Sequence, residues 1–199
     1  MDDLNRYIDE HKEEIIRSVQ EVVRIPSVEG PALPGKPFGE KVDEALQKTL
    51  DLAESLGFRV KNVDGYAGYA EFGEGEETMG ILGHLDVVPE GSGWTYPPYE
   101  ARIVDGKIYG RGALDDKGPI IGALYAMKAV MESGRKMKRK VRIIFGTDEE
   151  SGWKDMEYYF KKEPMPDFGV SPDADYPVIN VEKGIGTFKL KKKFASSDC

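Results

Sequence analysis

Residues 141–145 read Val-Arg-Ile-Ile-Phe, and Gly-Thr-Asp-Glu-Glu follows at once. Such a short, near-continuous apolar run is the pattern of a strand buried on both faces, as strands are beneath helices in α/β sheets. The rest of the chain supplies the helices. Residues 3–24 carry Leu4, Ile8, Ile15, Val19, Val22 and Val23 at roughly helical spacing, and Pro26 ends that pattern. Residues 39–56 repeat it with Val42, Leu46, Leu50 and Ala53 before Gly57. A third helix is predicted from Pro119, proline being favoured at the first helical position, to about residue 132, with Gly134 closing it. A short one is predicted over 155–161.

Between these helices lie the strand signals. Residues 58–62 and 66–72 flank Asp64-Gly65, and 101–104 and 107–109 flank Asp105-Gly106, so both pairs read as hairpins. Further strands are predicted at 78–82, 178–181 and 187–190, with a short apolar run at 168–170. Residues 28–38 hold three prolines and two glycines and form a loop, and the basic run 135–140 reads as another. Strands alternating with helices predict an α/β domain of three layers.

Composition narrows the function classes. A net charge of −8 argues against nucleic acid as a partner. No apolar stretch approaches the ~20 residues of a membrane span, and residues 1–5 lack the apolar segment of a signal peptide. The one cysteine, Cys199, excludes an internal disulfide framework, so a cytoplasmic location is expected. Nothing in the sequence sets the oligomeric state.

Acidic and imidazole groups gather where predicted strands end. His84 and Asp86 follow the strand at 78–82; two apart in extended chain, they address one side. A neutral imidazole ligates zinc well, and a carboxylate on its other nitrogen fixes the tautomer. Asp115 and Asp116 precede the helix at Pro119; capping explains one of them better than two. Asp148, Glu149 and Glu150 follow the buried run, and Asp173 and Asp175 follow 168–170. In open α/β sheets, ligands bind outside the carboxyl ends of the strands. Carboxylates crowded there repel one another and take up protons unless a cation joins them. Two divalent ions bridged by one carboxylate would resolve the conflict. One of the adjacent glutamates then binds metal and the other moves protons.

Four segments, GHLDVVP (83–89), YGRGALDDKGP (109–119), GTDEESGW (146–153) and SPDADYPVINVEKG (171–184), together with RIPSV at 24–28, resemble the co-catalytic zinc peptidases. These include carboxypeptidase G, aminoacylase and succinyl-diaminopimelate desuccinylase; the bacterial dipeptidases of the PepV type are the most similar branch. The resemblance implies a mixed sheet flanked by helices, with residues 1–186 the N-terminal part of the catalytic domain. Residues 187–199 would be the start of a lid domain or a disordered end. It implies a two-zinc site, which manganese or cobalt could also fill. His84 and Asp173 would hold one zinc and Glu150 the other. Asp115 would bridge them, followed by a cis peptide to Asp116, while Asp86 orients His84 and Glu149 is the general base. Such enzymes are roughly twice this length and supply a final histidine, beyond an inserted lid, to the zinc held by Glu150. The only other histidine here, His11, is expected on the solvated side of the first helix.

The activity implied is hydrolysis of dipeptides, a small-peptide substrate. One rival is an amidohydrolase of the same family that removes acyl groups from N-acyl amino acids. Another is a non-catalytic zinc-binding fragment. The metal hypothesis requires His84 and Asp173 to face the same side of the sheet.

Overall fold

The computed structural model describes residues 2–175, 177–181, 183–184, 186 and 188–193. Their elements run α1 (Asp2–Glu10), α2 (Lys12–Val23), α3 (Glu40–Ser55), β1 (Arg59–Val63), β2 (Ala67–Phe72), β3 (Thr78–His84), β4 (Arg102–Val104), β5 (Lys107–Tyr109), α4 (Lys117–Glu132), β6 (Lys140–Gly146), α5 (Lys154–Lys162) and β7 (Phe168–Val170). The main sheet is mixed, in the order β1-β2-β6-β3-β7. β1, β2 and β6 pair antiparallel, whereas β3 runs parallel to both β6 and β7. The β1–β2 and β4–β5 hairpins turn at the expected Asp-Gly pairs. Asp64, Gly65, Asp105 and Gly106 all have positive φ, the backbone a type I′ turn demands.

Chain direction explains the layers. The connection from β3 to β6 steps one way along the sheet, and that from β6 to β7 steps back past β3. Right-handed crossovers therefore put α4 and α5 on opposite faces. Side chains of β6 alternate accordingly. Val141, Ile143 and Phe145 join the core beneath α2, α3 and α4, with Val22, Leu46, Ile120 and Leu124. Ile144 joins the smaller core of Val63, Ala67 and Tyr69 under Met156 and Tyr159 of α5. Each fully buried aliphatic side chain contributes roughly 1.5–3 kcal/mol. The expected mixed sheet flanked by helices is the observed fold.

Several local expectations are corrected. The predicted helix over 3–24 is two helices separated at His11. That residue is not on a solvated helix face: it is partly buried, stacks on Tyr7 at 3.9 Å, and its Nδ1 lies 2.8 Å from the Tyr7 carbonyl. Apolar spacing continues across the break, so periodicity could not show it. α4 begins at Lys117, two residues before Pro119, because the first turn needs no donor from Pro119. Residues 178–181 form no strand; β-branched composition alone gives no hydrogen-bonding neighbour. Of the strand predicted at 187–190, Thr187 lies outside the described residues and 188–190 are not strand. No helix of the described residues is long and apolar enough to cross a membrane.

Candidate metal centre

The parallel strands β3, β6 and β7 end on the same side of the sheet, with His84 directly opposite Gly146 in register. Their following loops carry Asp86, residues 147–150 and Asp173. The start of α4 lies over the end of β3. Contact there is so close that a Cβ on Gly83 would collide with Asp116 Oδ2 and meet Ile120 Cδ1 at 2.6 Å. Gly83→Ala is therefore expected to push Asp116 and the first turn of α4 outward, at a cost of about 1–3 kcal/mol in a urea titration. A neutral result would mean that this contact is loose.

His84 is the hub, buried at 2% exposure. Its Nε2 lies 3.0 Å from Asp115 Oδ1 and 3.5 Å from Asp173 Oδ2. On the other side, Nδ1 is 2.9 Å from the Asp86 carbonyl oxygen and 3.4 Å from Asp86 Oδ1. Asp86 therefore faces the ring mainly through its backbone. Its carboxylate is occupied elsewhere, accepting the backbone N–H groups of Glu149 at 3.2 Å and Glu150 at 3.0 Å. The peptide between Asp115 and Asp116 is cis. Asp116 occupies the N-cap position of α4 yet makes no side-chain capping bond; its Oδ2 accepts the His84 N–H at 3.2 Å. Capping thus does not account for the doubled aspartate.

Among the described residues, two sets of groups have ligand atoms within 4.8 Å of one another: His84, Asp115 and Glu150, and His84, Asp116 and Asp173. His84 and Asp173 share one side of the sheet. Both aspartates lie within reach of the imidazole, and Asp116, favoured less by the sequence, joins the set containing Asp173.

The electrostatics are those of a site short of positive charge. Burial, then the charge of Asp173, pushes Asp116 up to about 7. Burial also raises Glu149, Glu150 and Asp173, and neighbouring carboxylates add to it. Burial opposes a charge on His84, but hydrogen bonding to Asp86, with the charges of Asp86, Asp116 and Asp173, lifts the imidazole to about 10. Asp116 Oδ1 is buried with no hydrogen-bond partner. An orphaned carboxylate oxygen beside an imidazole and three further carboxylates fits divalent metal ions.

The acidic triplet that follows β6 divides. Asp148, 1% exposed, turns away and accepts the Lys154 N–H through Oδ2 at 3.0 Å, closing the loop onto α5. Glu149 and Glu150 stay half-buried at the site. Sequence reasoning assigned no role to three further residues that brace it. Lys117 Nζ donates to the Ile25 carbonyl at 2.6 Å, and burial depresses its pKa to about 7. Ser27 donates to the Leu85 carbonyl at 2.6 Å and accepts the Val87 N–H at 3.0 Å, so residues 25–27 tie α4 to the loop after His84. Asp155 accepts two amides from the 147–148 backbone. The RIPSV segment was the one available signal for Ser27.

Residues 80–191 match the profile of peptidase family M20/M25/M40. The chain is 54% identical over 176 residues to the putative dipeptidase YtjP of Bacillus subtilis, covering 87% of this chain and 38% of that protein. It is 43% identical over 190 residues to the Beta-Ala-Xaa dipeptidase of Lactobacillus delbrueckii subsp. lactis, covering 94% and 40%. Human carnosine dipeptidase 1 superposes with a TM-score of 0.70 at 28% identity, over 88% of this chain and 41% of that one. The chain spans about 40% of the length of these relatives.

Proposed function

The chain belongs to peptidase family M20/M25/M40, and on that footing we propose that it forms part of the catalytic domain of a two-metal dipeptidase acting on short, unblocked peptides. The observation that carries this reading is the convergence of Asp115, Glu150 and Asp173 around His84 at the strand ends. The dipeptide substrate is supported by the names of the relatives. Zinc suits the imidazole-carboxylate donor set, and manganese or cobalt would also fit it. A cytoplasmic location is supported by the lone cysteine of the sequence.

In this reading His84, Asp115 and Asp173 would hold one divalent ion and Asp115 and Glu150 the other; when bound, the ions would supply Lewis acidity toward the scissile carbonyl. Glu149 takes a proton from the attacking water and returns it to the leaving amine, as a positioned general base does. Asp86 holds the ring of His84 so that Nε2 faces the metals. Dipeptides, N-acetyl amino acids and N-succinyl amino acids, offered to a chain extended to the length of its relatives, separate this reading from a deacylase. Dipeptides should be turned over at least about a hundredfold faster in kcat/KM; faster hydrolysis of the acylated amino acids would replace the dipeptidase assignment.

Metal binding should depend steeply on pH. A metal takes the neutral imidazole, whereas the surrounding carboxylates keep His84 protonated up to about 10. Binding below that pH releases a proton, so apparent zinc affinity should rise about tenfold per pH unit between pH 6 and 8. Competition against a chromophoric chelator measures it. A plateau above about pH 7 would indicate an imidazole with its ordinary pKa.

A further inference from the structure

The backbone that carries the paired glutamates is gripped by two buried carboxylates. Asp155 Oδ2 accepts the N–H groups of Thr147 at 2.7 Å and Asp148 at 3.1 Å. The carboxylate of Asp86 accepts the next two, from Glu149 and Glu150. Four consecutive amides are thereby satisfied by two side chains that are 1% and 2% exposed. Asp86 contacts His84 as well, so it links the imidazole to the glutamate pair. Asp155 touches none of the metal-binding groups and reaches the site only through this backbone.

Asp155 is itself firmly placed. Its Oδ1 accepts the Met156 N–H at 2.7 Å, and Met156 and Tyr159 anchor α5 in the core against β2 and β6. The end of β6 leaves room for the carboxylate: a Cβ on Gly146 would stand 3.0 Å from Asp155 Oδ2. The loop between closes on itself, with the Asp148 carbonyl accepting the N–H groups of Gly152 and Trp153. A continuous set of contacts therefore runs from the core through α5 and Asp155 to the amides just before Glu149.

We propose that Asp155 is a positioning residue for the glutamate pair. It ties residues 147–148 to α5, and together with Asp86 it sets the direction in which Glu149 and Glu150 enter the site. This rests on the reading of Glu150 as a metal ligand, and the test keeps the two apart.

Cobalt(II) titration of the 199-residue chain, read at the weaker of the two equivalents, the one Glu150 serves, is the first measurement. Glu150→Ala should weaken cobalt binding at least about tenfold, and Asp155→Ala should weaken it by about ten- to a hundredfold, the usual effect of removing a group that orients a ligand. The double variant should bind no more weakly than Glu150→Ala alone, because Asp155 acts through Glu150. Asp155→Asn keeps one oxygen for the 147–148 amides but turns its NH2 toward the Met156 N–H, so its loss should be smaller than that of Asp155→Ala. Additive losses, or an unaltered affinity in Asp155→Ala, would overturn the inference. An unaltered affinity in Glu150→Ala would overturn the ligand reading instead.

Amide hydrogen exchange followed by NMR then decides the positioning role without any metal. Asp155→Ala should accelerate exchange at Glu149 and Glu150 as well as at Thr147 and Asp148. Acceleration confined to 147–148 would refute it. Should Asp155→Ala not fold, Gly146→Ala crowds the same carboxylate from the opposite side and should show both effects in smaller measure; neither appearing would count against the proposal equally.

Discussion

Glu149→Ala, in a chain extended to the length of its relatives, is expected to lower dipeptide turnover by about a hundredfold to ten-thousandfold while metal content stays at the parent level. A general base lowers the barrier of the chemical step and contributes little to holding the ions. kcat should therefore carry the loss and KM should change little. Glu150→Ala should differ in kind: metal content falls, and activity falls with it. The two glutamates are neighbours in sequence and both accept the influence of the same Asp86 clamp, so general damage to the loop would affect the two variants alike. Metal analysis beside steady-state kinetics separates them, and metal loss from Glu149→Ala would reverse the assignment. As the proposed general base, Glu149 would have to be ionised. Burial, assisted by Glu150, Asp173 and Asp86, raises its pKa above the usual glutamate value. The acid limb of the pH profile of kcat should vanish in any residual activity of Glu149→Ala.

The division of labour in this loop shows what a sequence can and cannot display. The gathering of His84, Glu150 and Asp173 was legible because each follows a strand signal, and strand ends of an α/β sheet face a common crevice; Asp115, which follows the separate β4–β5 hairpin, joins them from just before α4. The hairpins were legible because Asp-Gly is a local solution to a local backbone requirement. Asp155 was not. It sits in the first turn of α5, where an acidic residue has the ordinary meaning of dipole compensation. Its actual partners are amides seven and eight residues upstream, and only tertiary placement of α5 brings them within reach. Asp148 is the converse: grouped with Glu149 and Glu150 by sequence, it is turned into the protein by the same closure. The break at His11 escaped because hydrophobic spacing records which face is buried, not whether the backbone is continuous. Residues 178–181 failed for a related reason, since strand propensity is realised only beside a partner strand.

Arg142 is the residue whose loss should cost the fold most. It sits within the apolar run that first identified β6, and period-two alternation points it toward α5 rather than into the larger core. Directly across from it in register is Glu71 of β2. Its Nε and Nη2 donate to Glu71 Oε2 at 3.0 and 2.8 Å, Nη1 donates to the Tyr159 hydroxyl at 3.2 Å, and the guanidinium lies 4.0 Å over the Tyr69 ring. Glu163 approaches at 3.6 Å but keeps Lys61 as a second partner. Arg142→Ala would thus leave Glu71, whose side chain is 13% exposed, as an uncompensated charge. Arg59, 3.6 Å from Glu71 and more than half exposed, is too solvated to replace the guanidinium. The expected loss is about 3–5 kcal/mol, read as a fall in the urea midpoint at constant slope. The pair itself need not be net stabilising, since desolvation offsets much of its attraction. Replacing both partners together, Glu71→Met with Arg142→Met, should therefore bring stability back to within about 1–2 kcal/mol of the parent. A double variant as unstable as Arg142→Ala would show that the packing of the guanidinium against Tyr69 and Tyr159, rather than the orphaned carboxylate, carries the cost.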